Sequence, residues 1–175
     1  MSANLTLNLY KNLLIAEAYG AVLRLPTQDG AWNVRKGDVD AIDFVSTSTI
    51  QIRGIRMFGS LSGSANHSGL IQLKETLSQT VIASETFQYT SKEEQLYYDK
   101  LFSSQYGAKM GVKYTITIEY YNTETEEIWR GTGGQASTAT LCNGNTITFQ
   151  FSESADSTNG SNEGYGQIPW ILFSC

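Results

Sequence analysis

From Val112 to Tyr120 the chain alternates with period two. Val112, Tyr114, Ile116, Ile118 and Tyr120 fall on one face, and Lys113, Thr115, Thr117 and Glu119 on the other. Successive side chains of a strand leave opposite faces, so this run predicts a half-buried strand. Ile147, Phe149 and Phe151 alternate with Thr148, Gln150 and Ser152 in the same way. Ile50 and Ile52 open a further strand, and at Gly54 the pattern slips, putting Ile55 and Met57 on the other parity. A glycine inside a strand marks a bulge or a close backbone approach. Leu70–Thr76, Thr80–Ser84 and Trp170–Ser174 are further strand candidates.

Turn-forming clusters separate these runs: Gln28-Asp29-Gly30, Lys36-Gly37-Asp38, Gly59–Gly69, Gly131–Gly134, Cys142–Asn145 and Ser157–Gly166. Many short strands with Gly and Asn turns predict an all-β, antiparallel sandwich or jelly roll. Two segments compete as helices. Asn12–Leu25 is rich in apolar residues, and Ser91–Ser104 opens with Ser-Lys-Glu-Glu, a capping-box pattern. There is no internal repeat or Pro-rich linker, so the chain reads as one β domain.

Composition narrows the function classes. The 175 residues carry a net charge of −5, and only 17% are charged. An acidic chain with no Lys/Arg cluster lacks the cations that bind a phosphate backbone, so no nucleic-acid partner is expected. The apolar run Leu13–Ala16 ends at Glu17, too short for a membrane span or a signal-peptide core. A cytoplasmic location with no membrane partner is therefore expected. Cys142 and Cys175 are then expected as reduced thiols, with Cys142 buried at a strand start. With one histidine besides, they do not make a zinc site, and no metal or cofactor is expected.

Catalytic patterns are sparse. A Ser-His-Asp triad would have to use His67, which sits among small residues in Ser-Ala-Asn-His-Ser-Gly and reads as an exposed loop histidine. Gly59-Ser60-Leu61-Ser62-Gly63 places Leu61 where a nucleophile elbow needs serine. Asp38, Asp40 and Asp43 cluster, as do Glu124, Glu126 and Glu127, but nothing in the sequence makes either group face a second carboxylate. The glutamates read as a solvated hairpin tip. Asp156-Ser157-Thr158-Asn159-Gly160 has its glycine one place too early for a calcium loop. The positive features are aromatic: Trp32, Trp129, Tyr165 and Trp170 are placed in or beside loops, where they suit a binding surface.

Two stretches are more specific. The first is Gly30-Ala31-Trp32-Asn33, Gly37, Asp40–Phe44, Ile50, Ile52, Gly54-Ile55 and Phe58-Gly59. The second is Phe149–Ser152, Ser154, Asp156–Ser161 and Gly166-Gln167-Ile168-Pro169, ending at Ile171 and Phe173. Together they resemble the PHR domain, known from the Pam/Highwire ubiquitin ligases and from BTB-containing adaptors of cullin ligases. The resemblance implies an antiparallel β-sandwich of jelly-roll type that binds proteins and is not itself an enzyme. It also implies a strand, rather than a helix, over Leu96–Ser104.

Residues 1–29 are expected to pack on a sandwich formed by residues 30–175. The chain carries no BTB domain, RING finger or cullin-binding helices, so it is expected to act as a stand-alone domain. Asp156 and Ser157 suit hydrogen bonds to the turn amides at Asn159-Gly160, and Gln167 suits fixing the entry of the last strand.

The leading expectation is a non-catalytic interaction module that binds another protein through Trp32, Trp129, Arg130, Asn162 and Tyr165. An alternative is a small structural subunit with several neighbours in a cytoskeletal or ciliary assembly. A carbohydrate-binding jelly roll and a hydrolase remain as lesser alternatives.

Overall fold

A computed structural model of the chain describes residues 20–61, 63–92, 95–122 and 126–175. The strands are β1 (Gly20–Leu23), β2 (Thr27–Val34), β3 (Val39–Ser46), β4 (Ile50–Phe58), β5 (Asn66–Glu75) and β6 (Thr80–Thr90). They continue with β7 (Tyr97–Ala108), β8 (Lys113–Tyr120), β9 (Glu126–Thr132), β10 (Ser137–Cys142), β11 (Asn145–Glu153) and β12 (Trp170–Ser174). A six-stranded sheet, β10-β11-β3-β8-β5-β6, packs against a four-stranded sheet, β1-β12-β4-β7. All strand pairs are antiparallel, and β2 and β9 form a separate ribbon. The fold is an all-β sandwich of jelly-roll type.

Alternation fills the space between the sheets. Ile42 and Phe44 of β3, Tyr114, Ile116, Ile118 and Tyr120 of β8, and Ile71 and Leu73 of β5 face inward and are buried. Ile171 and Phe173 of β12 and Ile52, Ile55 and Met57 of β4 meet them from the other sheet. Fully burying one such side chain contributes about 2 kcal/mol, so this interface is the main driving force for folding. The slip at Gly54 is a one-residue β-bulge against β12, and the register against β7 shifts at the same point. The bulge absorbs one residue, so Ile50, Ile52, Ile55 and Met57 all reach the core despite their change of parity. A Cβ at Gly54 would collide with the carbonyl of Lys100 on β7, which is why glycine stands there.

The edges are managed by side chains. Glu85 on edge strand β6 accepts a hydrogen bond from the Ser103 amide of β7 at 2.5 Å, and its other oxygen lies 3.6 Å from Lys100. An inward-pointing charge thus links the two sheet edges without extending the ladder.

Two expectations are corrected, and a third is met. Gly20–Leu23, the described end of the apolar Asn12–Leu25 segment, is a strand and not helix; residues 12–19 of that segment lie outside the described residues. The strand that the resemblance implies over Leu96–Ser104 is present: β7 runs along β4 from Tyr97 to Ala108, and the capping-box pattern yields to this tertiary pairing. The cysteines are not free thiols: Cys142, at the end of β10, is disulfide-bonded to Cys175 with Cα atoms 6.1 Å apart. This bond ties the edge of the six-stranded sheet to the end of β12 in the other sheet.

The bridge spans a sequence separation of 33 residues. Loop-closure entropy assigns such a link about 4 kcal/mol. Urea unfolding followed by tryptophan fluorescence, with and without reductant, should show a stability loss of about that size. A Cys175→Ser variant should match the reduced protein and be insensitive to reductant. Equal midpoints in both redox states would contradict a closed bridge.

Candidate functional site

The face carrying the candidate contact residues is assembled from β2, β9 and the segment ahead of β12. β9 extends the hydrogen bonding of β4: the Trp129 amide donates to Gly59 O at 3.0 Å and the Leu61 amide to Glu127 O at 2.9 Å. At its other end Gly131 and Gly166 exchange hydrogen bonds of 2.9 and 3.2 Å. Opposite residues in an antiparallel pair share a face. Trp32 lies opposite Ile128, so Trp32 and Arg130 lie on the same face of the ribbon. The Arg130 guanidinium sits 5.9 Å from the Trp32 ring centroid, and Tyr165 packs on that ring at 6.0 Å.

The structure thus brings Trp32, Arg130 and Tyr165 together. Asn162 sits beside them: its amide donates to Tyr165 O at 3.0 Å, and its side-chain oxygen accepts from the Gly164 amide at 2.8 Å. Trp129 belongs elsewhere, since it turns to the opposite face of β9 and packs against the core. Trp32, Trp129 and Trp170 all lie within strands rather than loops. Trp170 and Tyr97 make an edge-to-face pair at 4.8 Å under Arg56, which is also bound by Asp99.

What holds Tyr165 in place is a buried charge pair. Arg24, just after β1, is fully buried. Its Nη1 donates to Ile168 O at 2.9 Å, and its Nη2 donates to Tyr165 O at 2.9 Å and to Asn162 O. Asp40 on β3 supplies the opposing charge and is also fully buried. One of its oxygens accepts from the Gln167 amide at 2.7 Å. Burial lowers Arg24 to about 10 against the raising influence of Asp40 and Glu163, so the guanidinium stays charged at neutral pH. Burial raises Asp40 to about 6, opposed by Arg24, the Gln167 amide, Asn159 and Ser161. Gly166 threads between the two groups: a Cβ there would lie 2.9 Å from Asp40 Oδ2 and 3.0 Å from Arg24 Nη2.

The Asp156–Ser161 stretch docks on β3 where β11 leaves it. β11 pairs with β3 as far as Glu153 opposite Ile42. Beyond that point, hydroxyl groups take over the free edge. The Val39 amide donates to Thr158 Oγ1 at 2.9 Å, the Thr158 amide to Val39 O at 3.0 Å, and the Ala41 amide to Ser161 Oγ at 3.0 Å. Gly160, at φ +84°, makes the turn, and Asn159 Oδ1 accepts from the Ser161 amide at 3.2 Å. The turn contacts differ from expectation in two respects. Ser157 Oγ bonds the side chains of Asn159 and Ser161 and not the turn amides. Asp156 reaches across the sheet to Lys74 Nζ at 2.5 Å instead of bonding the turn amides.

The acidic cluster is dispersed. Asp38 pairs with Arg35 at 3.6 Å, Asp40 faces inward, and Asp43 faces the other side and accepts from Thr115 Oγ1 at 2.7 Å. Glu126 and Glu127 begin β9, and Glu124 lies outside the described residues. Among the described residues, no three His, Cys, Asp or Glu side chains are grouped to hold a metal ion.

His67 is the main correction. It is completely buried at the start of β5 and is not an exposed loop residue. Its Nε2 lies 2.7 Å from Ser60 Oγ and its Nδ1 lies 3.0 Å from Asn122 Nδ2, a layout that superficially matches a Ser-His-Asn triad. The amide orientation decides the chemistry. Asn122 Oδ1 accepts from the Ser68 amide at 3.1 Å, so the Asn122 NH2 must be the group that faces Nδ1. Nδ1 is then an acceptor, and the proton sits on Nε2, donating to Ser60. A general base needs the opposite tautomer. The cluster binds β5 to the strand connections around it, and burial lowers His67 to about 4, which keeps it neutral.

His67 and Asp40 give opposing pH dependences. His67 protonates near 6.5 when unfolded and near 4 when folded, so its contribution to stability is lost as pH falls through that interval. Asp40 protonates near 6 when folded and near 3.8 when unfolded, so its contribution rises as pH falls from 6. In a His67→Gln variant only the second slope remains. The stability difference between wild type and variant, read from urea midpoints, should shrink steadily from pH 6.5 to pH 4.5. A constant difference would show that His67 is not held neutral by burial.

Comparison with known proteins places this geometry in a family. The PHR domain model matches residues 24–174. The BTB/POZ domain-containing protein 6 of Xenopus tropicalis is 30% identical over 142 residues, covering 81% of this chain and 25% of that protein. The human protein of the same name is 29% identical over the same length, as is mouse BTB/POZ domain-containing protein 3. The chain therefore spans about a quarter of the length of these relatives. The match begins at Arg24 and takes in Asp40, the Asp156–Ser161 hook, and Gly166-Gln167. This chain belongs to the PHR domain family.

Proposed function

We propose that this domain is a non-catalytic protein-interaction module whose partner is gripped by the face formed by Trp32, Arg130 and Tyr165, with Asn162 at its margin. The observation that carries the reading is the construction of that face. A tyrosine that is 42% exposed is held against a tryptophan by backbone contacts fixed to a buried arginine. Aromatic and arginine side chains on a rigid support lose little entropy on binding and dominate the energetics of protein interfaces. Family membership supports the same reading, because the relatives are BTB/POZ domain proteins in which this region is one part of a longer chain. The non-catalytic reading is supported by the tautomer imposed on His67 and by its burial away from any substrate.

The test is purification of the tagged chain at native expression level from its own cells. A stoichiometric partner should accompany the wild type and be weakened about tenfold or more by Trp32→Ala with Tyr165→Ala. A Leu77→Ser control, at a 93% exposed turn residue after β5, should leave it unchanged. Retention by the double variant, or equal loss in the control, would refute this face as the binding site.

A further inference from the structure

Of the two ribbon strands, β2 is the less covered: most of Thr27–Val34 is exposed. Among the described residues, no strand pairs with its edge opposite β9. Such an edge presents backbone N–H and C=O groups that can template an added strand. A hollow of about 390 Å3 is lined by Trp32, Asn33, Arg35 and Asp38 on one side and by Thr158 and Asn159 on the other. Trp32 and Asn33 are consecutive strand residues, so their side chains leave opposite faces. A space touching both reaches β2 along its edge.

One cation is aimed at this edge. From β9, Arg130 crosses β2 at the bulge between Gln28 and Ala31, where its Nε donates to Asp29 O at 3.3 Å. Gly30, at φ +73°, makes the turn of the bulge beside the guanidinium, with Nη2 3.4 Å from where its Cβ would be. The guanidinium ends over the Trp32 ring, and among the described residues no carboxylate lies within 4 Å of it. The neighbouring Arg35, by contrast, is matched by Asp38. A stacked guanidinium that retains its donor fork is complementary to a carboxylate.

We infer that the open edge of β2 is a strand-addition site for an extended peptide segment of a partner protein, whose Asp or Glu side chain pairs with Arg130. The inference rests on the interaction reading above and specifies the chemistry of the partner. The added strand supplies main-chain hydrogen bonds to β2, and the hollow between β2 and Thr158-Asn159 takes a flanking side chain. The carboxylate fixes register, since a slip of one residue would send it to the opposite face of the new strand.

The experiment uses the intact chain and displayed random peptides of roughly ten residues, long enough for a strand of ordinary length. Selected binders should be enriched in Asp or Glu and shift the backbone amide resonances of β2. Their affinity should fall about tenfold with Arg130→Glu and by a smaller factor with Arg130→Lys, which keeps the charge but loses the planar donor fork. Selection against the Arg130→Glu protein should yield Lys- or Arg-bearing peptides instead. Peptides that are lost with Trp32→Ala but indifferent to Arg130→Glu, with β2 amides unshifted, would overturn this inference and leave the interaction face standing. Binders that map elsewhere, such as the Leu77–Val112 end of the sandwich, or a library with no binders, would overturn both.

Discussion

Two opposite charges, Arg24 and Asp40, lie wholly out of water where the two sheets meet at one end of the sandwich. Removing such groups from water costs several kcal/mol each, and mutual attraction alone seldom offsets it. The surrounding backbone offsets part of that cost, while burial still shifts both groups toward their neutral forms. Carbonyls of Asn162, Tyr165 and Ile168 accept from the guanidinium, and the Gln167 amide donates to the carboxylate. All four backbone partners belong to the connection entering β12. A segment of about that length would otherwise sample many conformations, and the charge pair selects one.

From that constraint the exposed features follow. The gripped connection places Tyr165 against Trp32, and the Gly131–Gly166 bridge fastens the same connection to the β2–β9 ribbon. On the other side of Asp40, Thr158 and Ser161 cap the amides of β3 that β11 leaves unpaired. The hook, the buried pair and the aromatic face therefore form one continuous structure, with the exposed groups outermost. A surface built this way is pre-organised, so a partner of the kind proposed would meet it without having to order it.

Much of this was legible in the sequence. Period-two runs such as Val112–Tyr120 announce strands because alternation is a direct consequence of strand geometry. The Asp156–Gly160 and Gly166–Pro169 signature pointed to the family; Thr158 and Asn159 hold their loop through side chains, whereas Gln167 acts through its backbone amide. Long-range pairings were not legible. Nothing in the sequence shows that the charge of Arg24, placed between Leu23 and Leu25, is opposed by that of Asp40, because the two are brought near each other by topology rather than by spacing. The Cys142–Cys175 bridge was hidden for the same reason. His67 was misread because small residues around it mimic a loop, whereas here they allow the start of β5 to pack tightly. Trp129 was grouped with Arg130 because neither the ends nor the parity of β9 could be fixed from its short run.

The most direct test of the account is native-state hydrogen exchange on an Arg24→Met variant, compared residue by residue with wild type. If Arg24 is what holds the β12 entry, the amides of Asn162 and Gly166, bonded to Tyr165 O and Gly131 O, should lose protection about tenfold or more. Amides of the central strands β5 and β8 should keep their protection relative to one another and stay well above those of the loop. Unchanged protection at Asn162 and Gly166 would contradict the account. So would a uniform loss across every strand, which would make the pair a general element of stability rather than the support of this face.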